Sequence, residues 1–175
     1  MSLTKQTLNN FLNDTFVETG TCEGDGVAIA LECGFKTIYS IEIDPVLYDY
    51  CKKRFADKDN VYLYKNDSIV VLPQILSEIQ TPSTFWLDAH MNDVSTYVGK
   101  FRCPILQEID MILDNNLHHT LLIDDRRLFM NDGIRHWNNV KEKEIMDTIR
   151  GKSDKLKISY ACGVVENDII VVKHE

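Results

Sequence analysis

The fold is decided by one stretch, Phe16-Val17-Glu18-Thr19-Gly20-Thr21-Cys22-Glu23-Gly24-Asp25-Gly26. A short apolar run leads into a turn that contains three glycines, and a helical pattern follows. Gly20 suits the positive φ of a tight strand-to-helix turn, Gly24 lets the backbone approach a ligand, and Gly26 opens the helix. Because the first N–H groups of a helix have no partner within it, such a turn is expected to bind an anionic or zwitterionic group.

The spacing of these glycines, G-x-x-x-G-x-G, narrows the choice of cofactor. It is not the G-x-G-x-x-G of dinucleotide-binding folds, and no Gly-Lys-Ser/Thr of a phosphate-binding loop follows, so NAD and ATP are disfavoured. Glu18 ends the first predicted strand and Glu42 ends the second. A carboxylate about twenty residues beyond a glycine turn is placed to accept hydrogen bonds from ribose hydroxyls. The residues alone leave open a generic α/β turn with a helix-capping loop.

With this order of loop and acid, the chain resembles the class I S-adenosylmethionine (SAM)-dependent methyltransferases. The resemblance implies that the first loop holds the methionine end of the cofactor and that Glu42 holds the ribose. It places the adenine beside Asp67 and Ser68, although either residue could instead cap the following helix. The cofactor contacts expected on this basis are Glu18, Gly20, Thr21, Cys22, Gly24, Gly26, Glu42, Ile43, Asp67, Ser68 and Asp88.

Strand and helix patterns alternate along most of the chain. The predicted strands are Thr15–Glu18, Thr37–Ile43, Val61–Tyr64, Thr84–Leu87 and Thr120–Ile123. The predicted helices are Asp25–Cys33, Pro45–Phe55, Ile69–Ile79 and Pro104–Leu113, after a short amphipathic helix between Leu3 and Asn13. This alternation predicts right-handed crossovers and a parallel sheet covered on both faces.

The end of the chain breaks the alternation. The β-rich runs Lys157–Val165 and Asp168–Lys173 are separated only by Glu166-Asn167, which is too short for a crossover helix, so they are expected to pair as an antiparallel hairpin. The predicted fold is therefore α/β: a Rossmann-like, doubly wound, mostly parallel seven-stranded sheet with an antiparallel C-terminal hairpin strand. We expect a single domain over residues 1–175, with the N-terminal helix within residues 1–14.

The amino-acid composition indicates which classes of binding partner and which location to expect. A net charge of −8 disfavours nucleic acid, so a small molecule is the expected acceptor. No apolar run is long enough for a membrane span and no signal peptide is recognisable, so we expect no membrane partner and a cytoplasmic location. The five cysteines are scattered without a C-x-x-C pair, and we expect them to be reduced. So short a chain favours closure of the pocket by a second copy, as a homodimer.

Three carboxylates follow neighbouring predicted strands: Asp88 after the fourth, and Asp124 and Asp125 after the fifth. Like charges that converge at a sheet edge repel unless something positive lies between them, and a divalent cation is the simplest candidate. Oxygen ligands suit Mg²⁺, Mn²⁺ or Ca²⁺ better than zinc. The alternative is that Arg126, Arg127 or another nearby arginine neutralises the same carboxylates.

This arrangement resembles the metal-dependent O-methyltransferases of the catechol and macrocin families. The resemblance implies metal ligation by Asp88, Asp124 and Asp125. The lysine base of the catechol family would fall on Met91, so that chemistry does not carry over. The second Asp of the macrocin motif, a base in that family, falls on His90, whose imidazole can accept a hydroxyl proton near neutral pH. We therefore expect Asp88 and His90 to be the catalytic residues.

The expected function is methyl transfer from SAM to a hydroxyl of a small molecule, assisted by the cation. Loops 91–103 and 126–137 are expected to form the walls of the acceptor pocket. Their cationic and aromatic side chains favour an anionic or sugar-like substrate. The candidate contacts are Tyr97, Arg102, Arg126 and Arg127, with Lys100, Arg135 and His136 on the same loops. Two alternatives stay open: a SAM-binding protein that degrades or senses the cofactor, and a methyltransferase-like interaction subunit.

Overall fold

A computed structural model of the chain describes residues 2–90, 97–130 and 139–175. It contains one seven-stranded sheet with the strand order β3-β2-β1-β4-β5-β7-β6. The strands are β1 (Thr15–Thr19), β2 (Thr37–Glu42), β3 (Val61–Lys65), β4 (Ser83–Leu87), β5 (Thr120–Ile123), β6 (Leu156–Ala161) and β7 (Ile169–His174). The helices are α1 (Lys5–Leu8), α2 (Asp25–Cys33), α3 (Pro45–Arg54), α4 (Ser68–Glu78), α5 (Ile105–Leu113), α6 (Arg126–Phe129) and α7 (Glu142–Arg150).

Strands β1 to β5 are parallel, and β7 is antiparallel to both β5 and β6. The expected doubly wound, mostly parallel sheet with an antiparallel C-terminal hairpin is thus confirmed. Its register places the carboxyl ends of β1, β2, β4 and β5 side by side, because Thr19 pairs with Ile41 and with Leu87, and Leu87 pairs with Ile123. The loops that follow these strands therefore meet at one edge of the sheet.

Two hydrophobic layers enclose the sheet, one on each face. Consecutive strand residues alternate between them, so Val17 faces the layer formed with α4, α5 and α7, whereas Phe16 faces the layer formed with α1, α2 and α3. Phe85 and Trp86 divide in the same way on β4. The centre of the sheet is therefore packed against helices on both faces.

Three local expectations differ from the structure. The N-terminal helix is confined to Lys5–Leu8, followed by a 3₁₀ turn at Asn9–Phe11. Helices α6 and α7 lie where no element was expected. Strand β6 ends at Ala161 and not at Val165, because residues 162–168 form a compact turn in which Gly163 N–H donates to the Val165 carbonyl at 3.0 Å.

Some expected features lie outside the described residues. The structure does not describe residues 91–96 and 131–138, which include Met91, Arg135 and His136. Among the described residues, no helix is both long and apolar enough to cross a membrane.

Candidate active site

A cleft that is partly open to solvent lies at the carboxyl edge of the sheet. Open α/β sheets bind their ligands at this edge. Ten of the residues expected to bind cofactor, catalyse or contact substrate line the cleft: Gly20, Cys22, Glu42, Ile43, Asp67, Ser68, Asp88, His90, Tyr97 and Arg102. Thr21, Gly24, Gly26 and Glu18 lie behind this surface, in or under the glycine loop.

The glycine loop packs tightly against its neighbours. Gly20 has a φ of 83°, and a β-carbon there would lie 2.6 Å from the backbone oxygen of Asp88. Gly24 has a φ of 85°, and a β-carbon there would lie 2.6 Å from the Phe55 ring. Both positions thus require glycine, for conformation and for space. The close approach brings the end of β1 against the end of β4.

A buried polar network supports the loop from below. Ser40 Oγ donates to Glu18 Oε2 at 2.6 Å, and the hydroxyls of Ser40 and Thr21 are also 2.6 Å apart. The Glu18 carboxyl lies against Gly26, where a β-carbon would be 2.9 Å from Glu18 Cδ. Burial raises the pKa of Glu18 to about 8, although the Ser40 hydrogen bond opposes the shift. Glu18 is therefore mostly protonated at neutral pH.

Glu42 is the carboxylate expected to hold a ribose. Its Oε2 accepts the Cys22 N–H at 2.7 Å and its Oε1 accepts the Asp44 N–H at 2.8 Å. These two bonds fix the carboxylate at the wall of the cleft, and each oxygen retains a lone pair for a ligand hydroxyl. Burial raises the pKa of Glu42, while the two backbone donors oppose the shift.

Asp67 and Ser68 begin α4 at the other side of the cleft. Asp67 is the N-cap of the helix, and its Oδ1 accepts the Ile69 N–H at 3.2 Å. Its Oδ2 accepts the Lys100 N–H at 2.7 Å. The capping role considered for Asp67 is thus present in the structure, and its contact with adenine stays a prediction.

One buried acid beside the cleft escaped the sequence reasoning. Glu108 on α5 is fully buried, and Thr19 Oγ1 donates to its Oε2 at 3.3 Å. Burial raises the pKa of Glu108 to about 7, with Ser68 and Thr19 opposing the shift. A glutamate on the apolar face of a helix was the available signal, since charged residues are rarely fully buried without a partner.

His90 lies between two carboxylates. Its Nε2 is 3.0 Å from Asp88 Oδ1 and 3.0 Å from Asp125 Oδ2. Burial alone would lower the pKa of His90, but the hydrogen bonds and charges of Asp125 and Asp88 outweigh it and raise the pKa to about 9. At neutral pH the imidazole is therefore mainly protonated and neutralises part of this acidic edge.

A second cation neutralises the rest of the edge. Arg127 Nη1 lies 2.6 Å from Asp125 Oδ1 and also pairs with the buried Asp168. The charges of His90 and Arg127 lower the pKa of Asp125 against the effect of burial. Asp124 accepts hydrogen bonds from Ser2 Oγ and from the Asp125 N–H. Burial and the charge of Asp88 raise the pKa of Asp124 to about 7.

Two sets of described side chains bring potential metal ligands within 4.8 Å of one another. One set is Asp88, His90 and Asp125, and the other is Asp124, Asp125 and Asp168. The expected set of Asp88, Asp124 and Asp125 is not among them. Arg127 pairs with two members of the second set, so that set does not fit a cation. The first set supplies one imidazole nitrogen and two carboxylate oxygens, but Arg127 also pairs with its Asp125, and His90 must release its proton before it can bind an ion.

The two arginines considered as substrate contacts make internal contacts. Arg126 Nε pairs with Glu142 Oε1 at 2.7 Å, and its guanidinium lies 4.3 Å from the centre of the Tyr160 ring. Arg127 bridges Asp125 and Asp168, as described above. Neither arginine lines the cleft, whereas Tyr97 and Arg102 do. A role for any of the four in substrate binding stays a prediction.

Comparison with known proteins gives structural neighbours only. No family model matches the sequence, and a search of curated protein sequences finds no match. The SAH-bound methyltransferase PaMTH1 of Podospora anserina has a TM-score of 0.68 at 14% identity, covering 98% of this chain and 76% of the other. The O-methyltransferase of Bacillus cereus in complex with SAH has a TM-score of 0.65 at 11% identity, covering 98% of this chain and 78% of the other. An rRNA methylase of Streptococcus thermophilus has a TM-score of 0.57 at 14% identity, covering 98% of this chain and 93% of the other.

At these identities the likeness establishes the fold and nothing finer. The neighbours act on different acceptors by their names, yet they share one architecture with this chain. The chain therefore has the Rossmann-like fold of the SAM-dependent methyltransferases.

Proposed function

We propose that the protein is a SAM-dependent methyltransferase that acts on a hydroxyl group of a small molecule. One observation carries the proposal: the glycine loop, Glu42 and Asp88 line a single cleft at the carboxyl edge of a sheet with methyltransferase topology. Open α/β sheets bind their ligands at this edge. The SAH-bound neighbours support the choice of cofactor.

The cofactor supplies an activated methyl group on a sulfonium. Glu42 is oriented by two backbone N–H groups to accept hydrogen bonds from ribose hydroxyls. Gly20 lets the end of β1 pack directly against the backbone of Asp88, and this contact brings the glycine loop and Asp88 together at the cleft. The surplus of carboxylates around the cleft favours a ligand that carries positive charge.

His90 is the proposed base for the acceptor hydroxyl. It lines the same cleft as the cofactor residues and is oriented by Asp88 and Asp125. With its pKa raised to about 9, it can take up a proton only in the fraction of molecules in which it is neutral. The proposal therefore implies an alkaline optimum.

Assistance by a divalent cation is a separate part of the proposal. Asp88, His90 and Asp125 would hold the ion, whose chemistry is to lower the pKa of a bound hydroxyl. In that case His90 is a ligand and not the base. Titration with Mn²⁺ and with Mg²⁺, followed by calorimetry and by activity, separates the two roles.

For the acceptor, we propose a small anionic or sugar-like molecule. The net charge of −8 opposes binding to a phosphate backbone, although one neighbour is an rRNA methylase. Tyr97 and Arg102 line the cleft and offer an aromatic surface and a cation to such a molecule. Closure by a second copy of the chain, as a homodimer, is part of the same proposal.

Isothermal titration calorimetry with SAM and SAH tests the cofactor. We expect micromolar binding to the wild type, loss of binding in Glu42→Ala, and no change in the control Glu32→Ala, whose side chain lies on the outside of α2. Absence of binding to the wild type would remove the proposal. Mass spectrometry of SAM incubated with the protein alone detects the competing function, because only a SAM-degrading enzyme fragments the cofactor without an acceptor.

A further inference from the structure

One side of the cleft is built by the 97–104 segment, which comprises Tyr97 to Pro104 and leads into α5. Its cleft-lining residues are Tyr97, Val98, Gly99, Phe101, Arg102 and Pro104. The start of α4, with Asp67 and Ser68, lines the cleft beside it. The segment therefore supplies an outer wall that the strand ends alone do not provide.

The segment is attached to the rest of the fold at its C-terminal end and near its middle. At its C-terminal end, Cys103 is 3% exposed and packs in the core with α5. Near its middle, the Lys100 N–H donates to Asp67 Oδ2 at 2.7 Å. The second attachment joins the segment to the first turn of α4, so a single carboxylate connects two walls of the cleft.

Gly99 leaves the space in which the Asp67 carboxylate lies. A β-carbon at position 99 would lie 2.6 Å from Asp67 Cγ, too close for any real contact. The φ of Gly99 is not in the left-handed region, so space and not conformation requires glycine here. Asp67 cannot yield easily, because its Oδ1 also caps α4 through the Ile69 N–H.

We propose that Asp67 is a positioning residue that holds the 97–104 segment over the cofactor through the Lys100 N–H. The inference rests on the proposed function, since it assigns the segment to the cofactor site. The two backbone hydrogen bonds that Asp67 already makes give it the role of placing this wall, and a direct contact with adenine is a separate role that the variants below distinguish. Loss of the attachment is expected to weaken SAH binding by roughly tenfold, the usual effect of one charge-assisted hydrogen bond.

Two variants break the attachment from opposite sides. Asp67→Asn keeps the size and the capping oxygen, but its amide cannot also accept the Lys100 N–H. Gly99→Ala leaves the Asp67 carboxylate intact and removes the space for it. Asp57→Asn and Gly151→Ala are matched controls outside the cleft. Circular dichroism establishes that each variant is folded before SAH is titrated.

Limited trypsin digestion adds a measurement that does not depend on activity. Trypsin cuts after Lys100 and Arg102, both within the segment, and mass spectrometry separates these cuts from others. We expect SAH to slow both cuts in the wild type and in the controls, and to protect neither site in Asp67→Asn or Gly99→Ala.

The outcomes are distinct. Weaker SAH binding and lost protection in both variants support the attachment. Wild-type affinity for SAH in both variants overturns the attachment. Weaker binding in only one variant also overturns it. Weakening in Asp67→Asn alone indicates a direct contact of Asp67 with adenine, and weakening in Gly99→Ala alone indicates obstruction by the added methyl group. Failure of the wild type to bind SAH removes the proposed function itself and is recognised before any variant is measured.

Discussion

The carboxyl group of Glu18 lies against the α-carbon of Gly26, so that a β-carbon at position 26 would come within 2.9 Å of Glu18 Cδ. The carboxyl is also held by Ser40 and is 2% exposed, so it has little room to move. The glycine that opens α2 is thus required by a buried acid beneath it and not by backbone conformation. This contact fixes the loop against β1.

Replacement of Gly26 by alanine should therefore disturb both stability and cofactor binding. We expect Gly26→Ala to lower the free energy of unfolding by about 2–3 kcal/mol, as overpacking in a rigid interior does. Gly34→Ala is the control: its added β-carbon would meet nothing within 4 Å, and only its φ of 84° is unfavourable, at about 1 kcal/mol. Urea denaturation and SAH calorimetry measure both effects. Equal losses in the two variants, with SAH affinity intact, would contradict the contact.

Buried acids make stability fall as pH rises. Glu18 has a pKa of about 8 in the folded protein against 4.5 when solvated. Between these values the native state keeps a proton that the unfolded state has lost, so stability declines across that window and is lowest above pH 8. We expect Glu18 to contribute about 2 kcal/mol of the decline between pH 6 and 9.

Denaturation of Glu18→Gln at several pH values tests this expectation. Glutamine can still accept the Ser40 hydrogen bond but has no proton to release, so the decline should be shallower by that amount. Glu32→Gln on the surface should retain the wild-type slope. A Glu18→Gln curve parallel to the wild type would show that Glu18 does not titrate with a raised pKa.

The rate of methyl transfer should rise with pH if His90 is the base. Since its pKa is about 9, we expect kcat/KM to increase about tenfold from pH 7 to pH 8, to reach half of its maximum near pH 9 and to level off above that pH. His90→Asn should lose about 100-fold or more and lose the pH dependence. His118→Asn, an exposed histidine remote from the cleft, is the control. A flat profile from pH 6 to 9 in the wild type would exclude this role.

Arg127 should matter for stability more than for substrate affinity. Among the described residues, its removal leaves Asp168, which is 1% exposed, without a counter-charge. We expect Arg127→Gln to cost about 3 kcal/mol of unfolding free energy, whereas Lys143→Gln, which breaks an exposed pair on α7, should change it by less than about 0.5 kcal/mol. Thermal denaturation compares them. A stable Arg127→Gln variant with a raised KM would instead indicate substrate contact.

Local patterns were sufficient for the fold because each strand and helix up to β5 carries its own signal. The alternation of apolar runs with Gly34 and Pro45 at helix boundaries predicts the crossovers without knowledge of tertiary contacts. Helix α7 was overlooked although Ile145, Met146 and Ile149 mark a buried face. Its many charges conceal the amphipathic pattern.

The candidate site was only partly accessible from sequence. Glu42 and Asp88 follow strands directly, so their place at the cleft is predictable from strand order. The pairing of Arg127 with Asp168 joins residues far apart in the chain through the antiparallel strand β7, and no local spacing reveals it. The crowded carboxylates led us to predict a cation, and the structure places the side chains of His90 and Arg127 among these carboxylates.

The position of β7 has a consequence for folding of the protein during its synthesis. This strand lies between β5 and β6, so an interior place in the sheet is filled only after strands β1 to β6 have been synthesised. Until then, the edge of β5, with its unpaired backbone groups and apolar side chains, is open to pairing with other chains. Nascent polypeptides that stall before residue 169 should accumulate as aggregates and depend on chaperones, even though every strand of the parallel half is already complete.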